Sequence, residues 1–138
     1  MSYSIAFMAF LGISIGGFYN YLAVIYTFVF IPVLEVLVKR SDEKYTEQEK
    51  ANRLLDPFFD ILLYLNIPIV FGIFFFSLEK LTLTTSISDI VGIILSASIV
   101  MATNGINVGH ELGHRRSLFA RTCSKLLYLP CQYMHFYI

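Results

Sequence analysis

Two histidines, His110 and His114, are the residues of this chain whose type and spacing point most directly to chemistry. Side chains four residues apart on an α-helix lie on the same face, so both imidazoles can approach one metal ion without distorting the backbone. The segment HELGH at 110–114 ends a long apolar stretch. Ionisable groups at such a place are costly unless they serve a function. The pattern therefore predicts a metal site at the end of a membrane-spanning helix.

Two neighbouring polar residues could support this site. Asn107 lies on the histidine face and could hydrogen-bond the ring nitrogen that does not bind the metal. Glu111 lies beside that face and could act as a base or distal ligand, or could form an ion pair with Arg115. In a purely structural interpretation, the two histidines are hydrogen-bonded residues at the membrane surface. The residues alone assign no catalytic role.

Two faces of the same helix differ in composition. On a 100° helical wheel, Thr103 shares an arc with Asn107 and the two histidines, which predicts a polar face for binding. Small residues occupy the opposite side and allow another helix to approach closely. They are Ser98, Ala102, Gly105, Gly109 and Gly113.

Other polar residues in apolar surroundings have simpler interpretations. Glu35 is expected to pair with Lys39 four residues later. His135 has no partner histidine at helical spacing, so we expect an ordinary hydrogen-bonded residue or one that lines a substrate path. The two cysteines follow no metal-binding or disulfide spacing and are expected to be reduced and unpaired.

The composition is that of a membrane protein. Hydrophobic residues make up 57% of the 138 residues, and the mean hydropathy is +0.68. Ten basic and ten acidic residues give a formal net charge of zero, which argues against a nucleic-acid partner. The lipid bilayer is therefore the expected surrounding.

The apolar runs predict an all-α integral membrane fold with about four transmembrane helices in two hairpins. The expected spans are 3–18, 20–38, 57–78 and 89–110, with a turn at Gly16, Gly17 and Asn20 and a helix cap at Asp89. A charged loop at 39–56 and a basic interfacial segment at 115–138 then lie on the same side. The positive-inside rule makes that side, with the N-terminus and the metal site, cytoplasmic.

The motif HExxH also occurs in zinc peptidases, where both histidines bind zinc and the glutamate activates water. A zinc-dependent intramembrane metalloprotease is therefore an alternative function. It would need a further acidic or histidine ligand that this sequence does not show.

The surroundings of the motif resemble another family. HELGH followed by two arginines, preceded by NGINVG at 104–109 and followed by QYMHFYI at 132–138, resembles the first histidine box of the AlkB-type integral-membrane alkane monooxygenases. These are relatives of the membrane fatty-acid desaturases and hydroxylases. Pro32 followed by Glu35 is a further point of similarity, whereas Arg115 replaces the lysine usual in the family. The later histidine boxes are absent.

The resemblance implies terminal hydroxylation of alkanes with O2 at a non-haem di-iron centre. It implies rubredoxin and rubredoxin reductase as electron donors, and the bacterial inner membrane as the location. A related membrane desaturase or xylene-type monooxygenase is a further alternative. Because two histidines cannot hold two iron ions, the chain is expected to be an N-terminal fragment of a larger helical bundle and to be inactive alone.

Overall fold

The computed structural model describes residues 2–38 and 57–136. These residues form five helices and no strand. The helices are α1 (Ser2–Ile15), α2 (Gly17–Leu37), α3 (Pro57–Leu83), α4 (Ile87–Gly113) and α5 (Leu118–Tyr128), and a 3-10 turn follows at Met134–Phe136. The loop at 39–56, and with it the expected partner Lys39, lies outside the described residues.

Three of these helices are long and apolar enough to cross a membrane: α2, α3 from Phe59 onwards, and α4. The helix α1 is apolar but has only 14 residues, whereas about 20 are needed for a full span. The predicted all-α membrane class is therefore confirmed, with three helices of spanning length among the described residues and one shorter apolar helix.

The turn between α1 and α2 depends on glycine. Gly16 and Gly17 have φ angles of 80° and 62°, a region that glycine adopts without steric cost, and this confirms the turn expected at these two residues. Asn20, expected in the same turn, lies instead in the first turn of α2. The helices then approach so closely that a Cβ at Gly12 would lie 2.2 Å from the carbonyl oxygen of Tyr19. This hairpin therefore requires glycine both in the turn and in the helix before it.

The connection between α3 and α4 is shorter than expected. The spans expected at 57–78 and 89–110 leave residues 79–88 as the connection, but α3 continues to Leu83. Lys80 lies over the Phe76 ring, 5.5 Å from its centroid, so its charge is accommodated within a helix. The prediction that Asp89 caps α4 is also wrong. Ser86 is the N-cap, and its hydroxyl accepts a hydrogen bond from the Asp89 backbone N–H.

Polar contacts define the two ends of the bundle. At one end the Asp60 carboxylate pairs with the Arg115 guanidinium, and the Tyr3 hydroxyl donates to the Leu62 carbonyl. The start of α1, the start of α3 and the end of α4 therefore lie together. At the other end the Asn20 amide donates to the Asp89 carboxylate at 3.2 Å. The histidine motif thus lies at the end where α3 begins, as the span count predicts.

The helix α5 turns back along α4 in the opposite direction. A Cβ at Gly113 would lie 3.2 Å from Ser124 Oγ, and one at Gly109 would lie 2.9 Å from the Tyr128 ring. The predicted small-residue packing face is thereby confirmed for Gly105, Gly109 and Gly113. The prediction of a packing face is wrong for Ser98 and Ala102, because both residues are exposed. Both cysteines are free, as expected.

Candidate metal centre

His110 lies on the last turn of α4 and His114 is the residue directly after the helix, with the two rings close together. The Nε2 atoms are 3.1 Å apart, the ring centroids are 4.5 Å apart, and the ring planes are nearly perpendicular at 88°. Both residues are exposed. The same-face geometry expected from their spacing is therefore present.

The distance between these nitrogens fits shared ligation of one ion. A metal ion ~2.1 Å from each nitrogen would see them at an angle of about 95°. This angle suits two adjacent ligands of an ion with more than four ligand positions. Imidazole is a ligand for iron, copper, nickel and zinc alike. The donor pair therefore fits an iron ion without identifying the metal by itself.

The side of α4 opposite the histidines is tightly supported. Leu112, between them in sequence, is fully buried, and the Ser124 hydroxyl of α5 donates to the Gly109 carbonyl at 2.6 Å. This buried hydrogen bond opposes separation of α4 from α5, because its loss would leave the Ser124 hydroxyl and the Gly109 carbonyl unsatisfied. The backbone of the histidine turn is thus held by α5, while the imidazoles remain accessible.

Asn107 and Glu111 were expected to support the histidines, but no contact in the described structure shows such a role. Both residues are exposed, and neither makes a side-chain hydrogen bond to a histidine there. Their roles stay predictions. The alternative ion pair between Glu111 and Arg115 is not formed, because the guanidinium turns to Asp60 on α3 instead.

The third histidine lies apart from the pair. His135 is on the 3-10 turn after α5, with its ring 4.8 Å from the Tyr133 ring. Among the residues that the structure describes, no group of three or more His, Cys, Asp or Glu side chains could hold a metal ion. Glu35 is exposed near the end of α2. The described chain therefore brings together two candidate ligands.

Burial keeps three titratable groups on or just after α5 protonated. It raises the pKa of the Tyr128 hydroxyl, although the hydrogen bond to Ser124 acts in the opposite direction. Burial also raises the pKa of the Cys123 and Cys131 thiols. All three groups therefore stay neutral at pH 7.

A buried polar network on α3 and α4, which the sequence alone did not predict, lies next to the site. Asn66 and Asn104 are 2% and 0% exposed, and Asn104 Nδ2 donates to Asn66 Oδ1 at 2.7 Å. The signal available in the sequence was an asparagine in each of two apolar runs. Only their pairing across 38 residues distinguishes this network from isolated polar residues.

The ion pair between Asp60 and Arg115 should contribute little to stability. Both side chains are partly exposed, at 38% and 25%, so we expect a coupling free energy of about 0.2–1 kcal/mol. A double-mutant cycle of Asp60→Asn and Arg115→Gln, read by denaturant unfolding in detergent, measures it. High salt should reduce the coupling, and a value that salt does not change would contradict this assignment.

Comparison with known proteins identifies two curated relatives. Alkane 1-monooxygenase 1 of Alcanivorax borkumensis is 28% identical over 111 residues, which are 78% of this chain and 27% of that protein. The alkane 1-monooxygenase of Pseudomonas putida is 29% identical over 111 residues, with the same shares of the two chains. No family model and no solved structure matches. The chain is therefore related to alkane 1-monooxygenases and spans about a quarter of their length.

Proposed function

We propose that this chain supplies the first pair of histidine ligands of a membrane-bound alkane hydroxylase with a non-haem di-iron centre. The observation that carries the proposal is the pair of Nε2 atoms 3.1 Å apart at the end of an apolar helix. The names of the two relatives support alkane as the substrate class. The proposal concerns the complete enzyme, of which this chain would be the N-terminal part.

The reaction requires oxygen and a reductant. One atom of O2 enters a terminal C–H bond to give a primary alcohol, and the other leaves as water with two electrons and two protons. Iron, when bound, would supply the activation of O2. Rubredoxin, reduced by rubredoxin reductase, would supply the electrons from the cytoplasm of a bacterium, with the enzyme in the inner membrane.

The residues of this chain would bind and orient the centre. His110 and His114 would each donate the lone pair of a neutral imidazole, which leaves other positions on the ion open for oxygen. Asn107, on the same side one turn earlier, would orient an imidazole through its second nitrogen. The apolar helices would admit a hydrocarbon that dissolves in lipid, while the polar end remains open to the electron donor.

Two histidines are too few for two iron ions, so further ligands must come from elsewhere. The chain has three histidines in all, and His135 lies apart from the pair. We therefore infer that the remaining ligands lie outside these 138 residues. The chain alone should not hydroxylate alkane, and a reading frame that continues into a segment of the form EHxxGHH would supply the missing ligands.

Metal analysis together with turnover tests the proposal. The complete polypeptide, purified from membranes in detergent, should contain about two iron ions per chain, as the proposed centre requires. With rubredoxin, its reductase and NAD(P)H, it should convert octane to 1-octanol and incorporate one atom of labelled O2. Zinc without iron, together with peptide cleavage, would instead favour the intramembrane metalloprotease. Iron together with oxidation of xylene but not of octane would instead favour a xylene-type monooxygenase over an alkane hydroxylase.

A further inference from the structure

The helix α4 is not regular, because a π-helical segment, Met101–Ile106, lies directly before the turns that carry the histidines. A π-helical segment contains one more residue than the α-helical turn it replaces. Residues after it are therefore rotated by about 100° relative to a continuous α-helix. Such segments are rare and are frequent at functional sites. In this chain the extra residue decides which side of the bundle the histidines face.

A buried amide in the middle of this segment ties it to α3. Asn104 is fully buried, and its Nδ2 donates to Asn66 Oδ1 at 2.7 Å. Its Oδ1 accepts a hydrogen bond from the Thr103 hydroxyl at 2.9 Å. A continuous α-helix through 101–106 would turn this amide away from α3, so that Asn104 Nδ2 and Asn66 Oδ1 would lose each other as partners in apolar surroundings, which is costly.

The network continues from α3 to α1. Asn66 Nδ2 donates to the Tyr3 hydroxyl at 3.1 Å and to the Leu62 carbonyl at 2.9 Å. Hydrogen bonds therefore connect α1, α3 and α4 through one buried asparagine pair. Buried networks of this kind specify one arrangement because a partly satisfied network is unfavourable.

The opposite side of α4 packs closely against α5 and the residues after it in this register. A Cβ at Gly105 would lie 2.6 Å from Cys131 Sγ, and one at Gly109 would lie 2.9 Å from the Tyr128 ring. Glycines therefore face α5 in the observed register of α4. The asparagine pair and the glycine contacts are thus both formed in the same register.

We propose that Asn66 and Asn104 are positioning residues that hold α4 in its π-helical register and so determine the direction of the His110 and His114 imidazoles. The inference rests on the proposed function in that the histidine pair is taken as a metal site. The asparagines themselves contact neither metal nor substrate. Their role is to select one of two rotations of the helix end.

A copper probe can measure this rotation without iron or turnover. Two histidines four residues apart on a helix can bind Cu(II), and a nitroxide placed at exposed Ile61 of α3 through a non-canonical amino acid gives a second spin. The 138-residue chain, reconstituted in nanodiscs, would carry His135→Gln so that the pair is the copper site. Pulsed dipolar spectroscopy then gives the distance between copper and nitroxide.

The informative variant replaces both asparagines, Asn66→Leu with Asn104→Leu, because removing both partners leaves no unpaired amide and allows the chain to fold. The side chains after residue 106 should rotate by about 100°, which moves a side-chain tip by about 8 Å. We expect a shifted or bimodal distance distribution. The single variants should broaden it.

The matched control is Asn20→Leu, which removes another buried asparagine that bonds to α4, far from the histidines. It should lower stability and leave the distance unchanged. If the double variant folds and keeps the wild-type distance, the asparagines only stabilise the bundle and the proposal is wrong. Because the measurement uses copper, a failure of alkane hydroxylation would leave its result intact, and the reverse also holds.

Discussion

Replacing His114 with alanine in the complete polypeptide should remove iron from the enzyme and lower octane hydroxylation by more than ~100-fold. Loss of an outer partner of a ligand already costs about 10–100-fold in affinity or activity, and loss of the ligand itself should cost more. His110→Ala should have the same effect, because the two Nε2 atoms are 3.1 Å apart and are proposed to bind one ion. Iron content and initial rates of alcohol formation measure both effects.

Two controls make this result specific. Ser98→Ala changes an exposed residue of the same helix outside the proposed site and should keep iron and activity. The double variant His110→Ala with His114→Ala should be no worse than either single variant, because residues that act as one unit are not additive. Full iron content and full activity in His114→Ala would rule out the histidine pair as a metal site.

The second large effect concerns the hairpin of α1 and α2. Gly12→Ala would place a Cβ 2.2 Å from the backbone carbonyl oxygen of Tyr19, which cannot turn aside as a side chain can. The helices would have to separate, and overpacking of this kind costs about 1–3 kcal/mol or more. We expect a large fall in the free energy of unfolding, measured by denaturation of the purified chain in detergent.

Gly72→Ala is the matched control for this prediction. A Cβ at Gly72 in α3 meets no atom within 4 Å, so the substitution removes only the unfavourable helix propensity of glycine. It should leave stability unchanged or raise it by about 0.5–1 kcal/mol. If both alanine variants had the same stability, the close approach of α1 to the turn would not be a real constraint on this fold.

Features that depend on local spacing could be predicted from the amino-acid sequence. The four-residue separation of His110 and His114 is one turn of any α-helix, so the two side chains share a face wherever the helix lies. Apolar runs determined the membrane class, and Gly16 with Gly17 determined the turn between α1 and α2. In each case the physical cause is the geometry of a few consecutive residues.

Features that depend on partners distant in sequence could not be predicted and became visible only in the folded chain. The Arg115 guanidinium had a possible partner in Glu111 on its own helix, and packing of α3 against α4 brought Asp60 closer instead. The π-helical segment of α4 has no local signature, because its pairing of Asn104 with Asn66 exists only once two helices meet. Helical periodicity determines which residues share a face, whereas contacts between helices decide where that face points.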